Sequence, residues 1–79
     1  MRPEDVIKLV NADPFTPFRI AIRDGRMFDV LNTSMIKVGR ERVFLFTPHP
    51  RLADVFDHFD IVSLAYILSI EPIENKRSA

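Results

Sequence analysis

Two short alternations of apolar and polar residues, separated by a single Asp-Gly pair, constrain this chain more than any other feature. Phe18, Ile20 and Ile22 alternate with Arg19, Ala21 and Arg23, and beyond the Asp24-Gly25 pair Phe28 and Val30 alternate with Met27, Asp29 and Leu31. A period of two is the mark of a strand with one buried face. A two-residue loop of Asp24-Gly25 would set Ile20 against Asp29 and Ala21 against Phe28, mixing the faces. A three-residue loop, Arg23-Asp24-Gly25, sets Ile22 against Arg26, Ile20 against Phe28 and Phe18 against Val30. It also places Ala21 opposite Met27 and Arg19 opposite Asp29. Register follows whichever pairing buries one consistent face, so the sequence predicts a type I turn closed by Gly25 in the left-handed region.

The remaining elements follow from this hairpin. Pro3 suits a first helical turn, and Glu4 and Asp5 sit where the helix dipole favours negative charge. Val6, Leu9 and Val10 recur at helical spacing, with Ile7 widening the stripe, so residues 3–12 are expected as a helix that must dock on something apolar. Asp13-Pro14 and Thr16-Pro17 force an extended connector, with Phe15 as its anchor. Asn32-Thr33-Ser34 ends the second strand; as a glycosylation sequon it is a pattern common by chance. Met35 to Val38 form a third strand and Gly39 to Arg42 a turn. Val43 to Phe46 form a fourth strand, apolar on both faces and therefore central or covered on both sides. Residues 47–53 read as a loop around Pro48 and Pro50. Leu52, Val55, Phe56 and Phe59 also fit helical spacing, but the fourth strand needs a hairpin partner, which favours a strand from Phe56 to Val62. Residues 63–66 read as one helical turn, Ile67 to Glu71 as a last strand stopped by Pro72, and residues 74–79 as a polar, frayed tail.

These elements predict one domain over residues 1–79. Its class is mainly β: a small, strongly bent antiparallel sheet or barrel spanning residues 18–71, with one N-terminal α-helix capping an open end through Val6, Ile7, Leu9 and Val10. The expected core is Phe18, Ile20, Ile22, Phe28, Val30, Ile36, Val38, Phe44, Phe46, Ile61, Leu64, Ile67 and Ile70. Phe15, Leu45 and Phe59 are candidates either for the core or for a subunit interface.

This outline resembles the small barrels of the SH3-like and Sm-like type. The residues that carry the resemblance to Sm-like chains are "IRDGRMFDV" (Ile22 to Val30) and the closing "YILSIEPI" (Tyr66 to Ile73). It implies a small barrel that assembles with copies of itself and contacts RNA through two loops. Ile67 to Ile70, where the second of those loops would fall, carries no basic-glycine or Asn-rich signature. The string "NADPFTPFRIAIRDGRMFDV", followed by "VGR" and "VSLAYILSIEPI", is also similar to a set of small bacterial proteins without assigned function. That resemblance implies relatedness of fold and no activity.

Composition bounds the function. Seventy-nine residues bury a marginal core, and with no cysteine there is neither a disulfide nor a zinc–thiolate staple. A hydrophobic content of 47% is that of a folded domain, and the natural way for so small a domain to bury more surface is self-association. Eleven basic and eleven acidic side chains cancel, whereas dedicated nucleic-acid binders carry a basic excess. No apolar run approaches a membrane span and no secretory signal is apparent, so the expected location is the cytoplasm.

No Ser-His-acid constellation or phosphate-binding glycine loop is present, so no enzymatic activity and no cofactor are expected. His49 and His58 are the two histidines; on a strand His58 and Asp60 would share one face with Asp57 pointing away, and on a helix Asp54, Asp57 and His58 would cluster instead, a weak set of metal ligands whose plain alternative is a solvated loop and an exposed strand face. Arg23 and Arg26 flank the first hairpin tip, and Lys37, Arg40 and Arg42 the second. If the tips lie side by side they form a basic edge for nucleic acid or for the acidic segment Asp54 to Asp60 of a neighbouring subunit. The plain alternative is solubility and protection of sheet edges. The sequence thus predicts a non-enzymatic structural or protein-interaction module acting as a homo-oligomer, with Sm-like nucleic-acid binding through the arginine-bearing tips as the second reading.

Overall fold

A computed structural model describes residues 1–52 and 54–73; the expectation for residues 74–79 lies outside them. The chain runs α1 (Pro3–Val10), β1 (Phe18–Ile22), β2 (Met27–Val30), a 3-10 turn at Thr33–Met35, β3 (Ile36–Val38), β4 (Arg42–Pro48), β5 (Phe56–Ser63), a second 3-10 turn at Leu64–Tyr66, and β6 (Ile67–Pro72). Two antiparallel three-stranded sheets result, ordered β2-β1-β6 and β3-β4-β5. No ladder joins β2 to β3 or β5 to β6 among the described residues, so the strands face one another as two sheets and do not close a ring.

The first hairpin has the register that the count of faces predicts: Phe18 opposes Val30, Arg19 opposes Asp29, Ile20 opposes Phe28 and Ala21 opposes Met27. Its three-residue loop is closed by an Ile22 N–H to Arg26 C=O bond of 2.9 Å, and Gly25 has φ +97°. The Arg19 guanidinium donates to both Asp29 carboxylate oxygens, at 2.7 and 3.1 Å. That hydrogen bond holds the Asp29 carboxyl below its ordinary value and raises Arg19.

Both 3-10 turns are capped by side chains. Asn32 Oδ1 accepts from the Ser34 N–H at 3.0 Å, and Ser63 Oγ from the Ala65 N–H at 3.2 Å. Met35 therefore belongs to a turn, and β3 starts one residue later than expected. α1 ends at Val10, ahead of the expected residues 11–12, because Asn11 already caps the helix and the connector must be extended before Pro14. At 3.6 residues per turn Val6 and Val10 share a face. Val6 is fully buried and Val10 packs beside it, while Ile7 and Leu9 stay exposed, so only half of the expected apolar stripe reaches the core. Phe15 anchors the connector edge-on to Phe18, with ring centroids 5.8 Å apart.

The core between the sheets is Phe18, Ile20, Ile22, Val30 and Ile67 from the first sheet, Ile36, Val43, Leu45 and Val62 from the second, and Val6 and Leu64. Phe28, Val38 and Ile70 are half-buried against it. Three expected core residues are corrected. Phe44 and Phe46 are half-buried on the outer face, and Ile61 is exposed; Val43, Leu45 and Val62 fill the inside instead. The cause is register. Ile36 opposes Leu45, Lys37 opposes Phe44 and Val38 opposes Val43. Residues directly opposite share a face, so Phe44 takes the side of Lys37, whose ammonium belongs in water.

Candidate interaction surface

The outer faces of the two sheets differ in character. On the first sheet the Arg19–Asp29 pair and Glu71 share the exterior with exposed Met27, while Leu68 is exposed on β6. The second sheet carries an aromatic exterior. Along β4 and β5 the outward pairs are Phe44 with Ile61, Phe46 with Phe59, and Pro48 with Phe56 beyond an irregularity at Thr47/Pro48. The Phe46 ring lies 5.1 Å from that of Phe56 and 6.0 Å from that of Phe59, centroid to centroid. Phe59 is 56% and Ile61 52% exposed. β4 is thus central, as its composition predicts, but no described element covers its outer face. β3 pairs only with Val43, Phe44 and Leu45, so the far half of the β4–β5 hairpin projects beyond it.

β5 is also a free edge, pairing with β4 alone among the described residues. The phase of its hydrogen bonds is fixed from both sides. Gly39 N–H donates to Arg42 C=O at 2.7 Å and Leu64 N–H to Glu41 C=O at 2.9 Å. In an antiparallel ladder hydrogen-bonded and non-hydrogen-bonded pairs alternate. Arg42, Phe44 and Phe46 therefore direct their backbone groups to the β3 side, and Val43, Leu45 and Thr47 to β5, where they meet Val62, Asp60 and His58. The N–H and C=O groups of Phe59 and Ile61 point to the unpaired edge.

The five cations singled out in the sequence are split. Lys37 and Arg42 lie on the outer face beside Phe44, and Arg40, Arg42, Glu41 and Phe44 border one shallow cleft. Arg26 is occupied by Asp24, Nε to Oδ2 2.9 Å, and lies over the Phe28 ring at 5.6 Å. The Arg26 backbone N–H, followed by its side chain, holds the Asp24 carboxyl below its ordinary value. Arg23, Lys37, Arg40 and Arg42 form no ion pair among the described residues. The two tips do approach a common element. Arg23 N–H donates to Tyr66 C=O at 3.0 Å, while Glu41 C=O accepts from the Leu64 N–H, so both tips meet the backbone of the Leu64–Tyr66 turn, on which Tyr66 is 62% exposed.

His58 and Asp60 share the inward side of the projecting hairpin, as the strand reading predicts. His58 lies 3.4 Å from Asp57 and 3.9 Å from Asp60. These groups make no cluster of three metal-ligating side chains, and none occurs among the described residues. Leu9, Ala12, Thr16, Phe18, Ile70 and Pro72 line an apolar pocket of about 230 Å3, smaller than sites that enclose a small molecule. Among the described residues no helix is long and apolar enough to cross a membrane.

Sequence reasoning flagged Phe59 as a candidate interface residue but assigned Phe44, Phe46 and Ile61 to the core. The signal that places them outside is the single lysine of β3, carried across the β3–β4 pairing. Set against protein-family models, curated proteins and solved structures, the chain matches none of them.

Proposed function

We propose that this chain is a non-enzymatic interaction module that works in the cytoplasm as a homo-oligomer, using the outer face and free edge of the β3-β4-β5 sheet. One observation carries the reading: Phe56, Phe59 and Ile61 stand exposed beside Phe44 and Phe46, contiguous with an unpaired strand edge. Contiguous apolar surface on a small domain marks an interaction site, and an unpaired edge is a template for another strand. Sedimentation velocity across low to high micromolar concentration tests the reading. The wild type is expected to associate and Phe59→Lys to remain monomeric with an unchanged fold. A wild type that stays monomeric throughout overturns the reading.

A second reading rests on a different observation, the exposed Tyr66 on the turn whose backbone both arginine-bearing tips contact. An exposed aromatic side chain on a surface that also carries cations can stack on the bases of single-stranded nucleic acid, and this is the form an Sm-like function would take here. It predicts salt-sensitive binding of mixed-sequence RNA that weakens when Arg23, Arg26, Arg40 and Arg42 are changed to alanine. Absence of binding at low salt eliminates it.

A further inference from the structure

We propose that two copies join edge to edge through β5, antiparallel across a two-fold axis at Phe59, with His58 of each copy opposite Asp60 of the other. The proposal rests on the self-association reading above and specifies its geometry. β5 is the longest strand, Phe56–Ser63, and has a free edge with no proline inside it.

The side chains of β5 select the register. Directly opposed residues share a face, which removes every pairing of Phe59 with an inward residue. Of the antiparallel self-pairings that remain, one centred on Asp60 sets two carboxylates against each other. One centred on His58 sets two imidazoles together and overlaps only the end of the strand. One centred on Ile61 sets Asp60 against the buried Val62 and forms no His58–Asp60 pair. The register centred on Phe59 sets Asp57 against Ile61 on the outer face, where the carboxylate stays in water, and its regular ladder runs over residues 57–61, ending at the irregularity before Phe56. It alone opposes His58 to Asp60, and symmetry makes that pair twice. An imidazole facing a carboxylate can donate a ring N–H to it, whereas two carboxylates facing one another repel.

The backbone agrees. Phe59 directs its N–H and C=O to the free edge, so the two copies exchange a pair of hydrogen bonds at the axis. Phe46 and Phe59 already oppose one another on the outer face. The axis extends them into a row of four rings, Phe46 and Phe59 of one copy followed by Phe59 and Phe46 of the second. The three-stranded sheet becomes a continuous sheet of six strands.

The absence of cysteine makes the register directly testable. His58→Cys protein and Asp60→Cys protein are prepared separately, mixed, and oxidised mildly. In a mixed dimer the two introduced thiols lie directly opposite one another across the interface, within disulfide reach, while the second flank keeps its Asp60–His58 pair. Within either variant alone the thiols are diagonal neighbours about 7–8 Å apart, beyond the usual span of a disulfide. The expected result is a disulfide-linked dimer in the mixture and little in either protein alone. His58→Asp and Asp60→His should each weaken dimerisation roughly fivefold, and the double exchange should restore it. A wild type that sediments as a dimer while the mixture links no better than its components overturns the register and leaves self-association standing. A wild type that never associates overturns both.

Discussion

Val62 and Ile61 are neighbours on β5 with opposite surroundings, and the same substitution at each separates the inside of the sheet from its outside. Val62 is 3% exposed in a core that, among the described residues, contains no buried polar side chain. Val62→Thr keeps the shape and β-branching of the residue and replaces a methyl with a hydroxyl that has no polar partner. An unsatisfied buried hydroxyl costs about 1–3 kcal/mol, and a central value of about 2 kcal/mol leaves a domain of this size folded, since its total stability is roughly 4–12 kcal/mol. With an unfolding entropy near 2.1 cal/mol/K per residue, a 79-residue chain loses about 0.17 kcal/mol per degree, so Tm falls by roughly 12 °C. Ile61→Thr removes apolar surface that is already half in water, worth roughly 0.5 kcal/mol and about 3 °C. Thermal melts followed by circular dichroism at the lowest workable concentration read the isolated chain. At high concentration Ile61→Thr should lose the association that the wild type shows. Equal melting shifts for the two variants, or a larger one for Ile61→Thr, would refute the assignment of faces along β5.

Two further outcomes test the first hairpin. Gly25 has φ +97° and a Cβ there would meet nothing within 4 Å, so Gly25→Ala suffers backbone strain without a clash. A strain of about 1–2 kcal/mol, offset by about 0.4–1 kcal/mol from the restricted unfolded chain, leaves a net loss near 1 kcal/mol and a Tm about 6 °C lower; a Tm equal to the parent's means the three-residue loop is wrong. Asp29 is held below its ordinary carboxyl value by Arg19, so its stabilising contribution is complete above pH about 3.8 and is lost as pH falls through the lowered value. Asp29→Asn should therefore lower stability at neutral pH and shrink the further loss on acidification to roughly pH 3, measured by urea titration at both pH values. A variant as acid-sensitive as the parent argues against the Arg19–Asp29 pair in solution.

Where a strand has one apolar and one polar face, its sequence carried its placement. Phe18 to Ile22 alternates cleanly, so counting faces was enough to choose a loop length, a register and an ion pair. The hairpin of β4 with β5 was legible for a different reason: an apolar central strand needs a second neighbour, and only the stretch from Phe56 onward was available. The orientation of that hairpin was not legible in the same way. Val43, Phe44, Leu45 and Phe46 are all apolar, and no local preference says which pair turns inward.

The candidate surface followed the same division. Phe59 and the arginines were visible as residue types, but their grouping depends on which strands become neighbours. Arg26 was absorbed by Asp24, two positions away, while Lys37 and Arg42 joined the aromatic face through ladders that span separate strands.

By itself, then, the sequence determined the order of the elements and the first hairpin with its Gly25 turn. Periodicity and turn chemistry are local, and each is decided within a few residues of the chain. The tertiary structure decided which side of β4 and β5 meets the core and that the strands divide into two sheets. It also decided that Phe44, Phe46, Phe59 and Ile61 stand together on the outer face beside an open edge. Those outcomes depend on long-range pairing, where one lysine on β3 orients the strand beside it and, through that strand, the next.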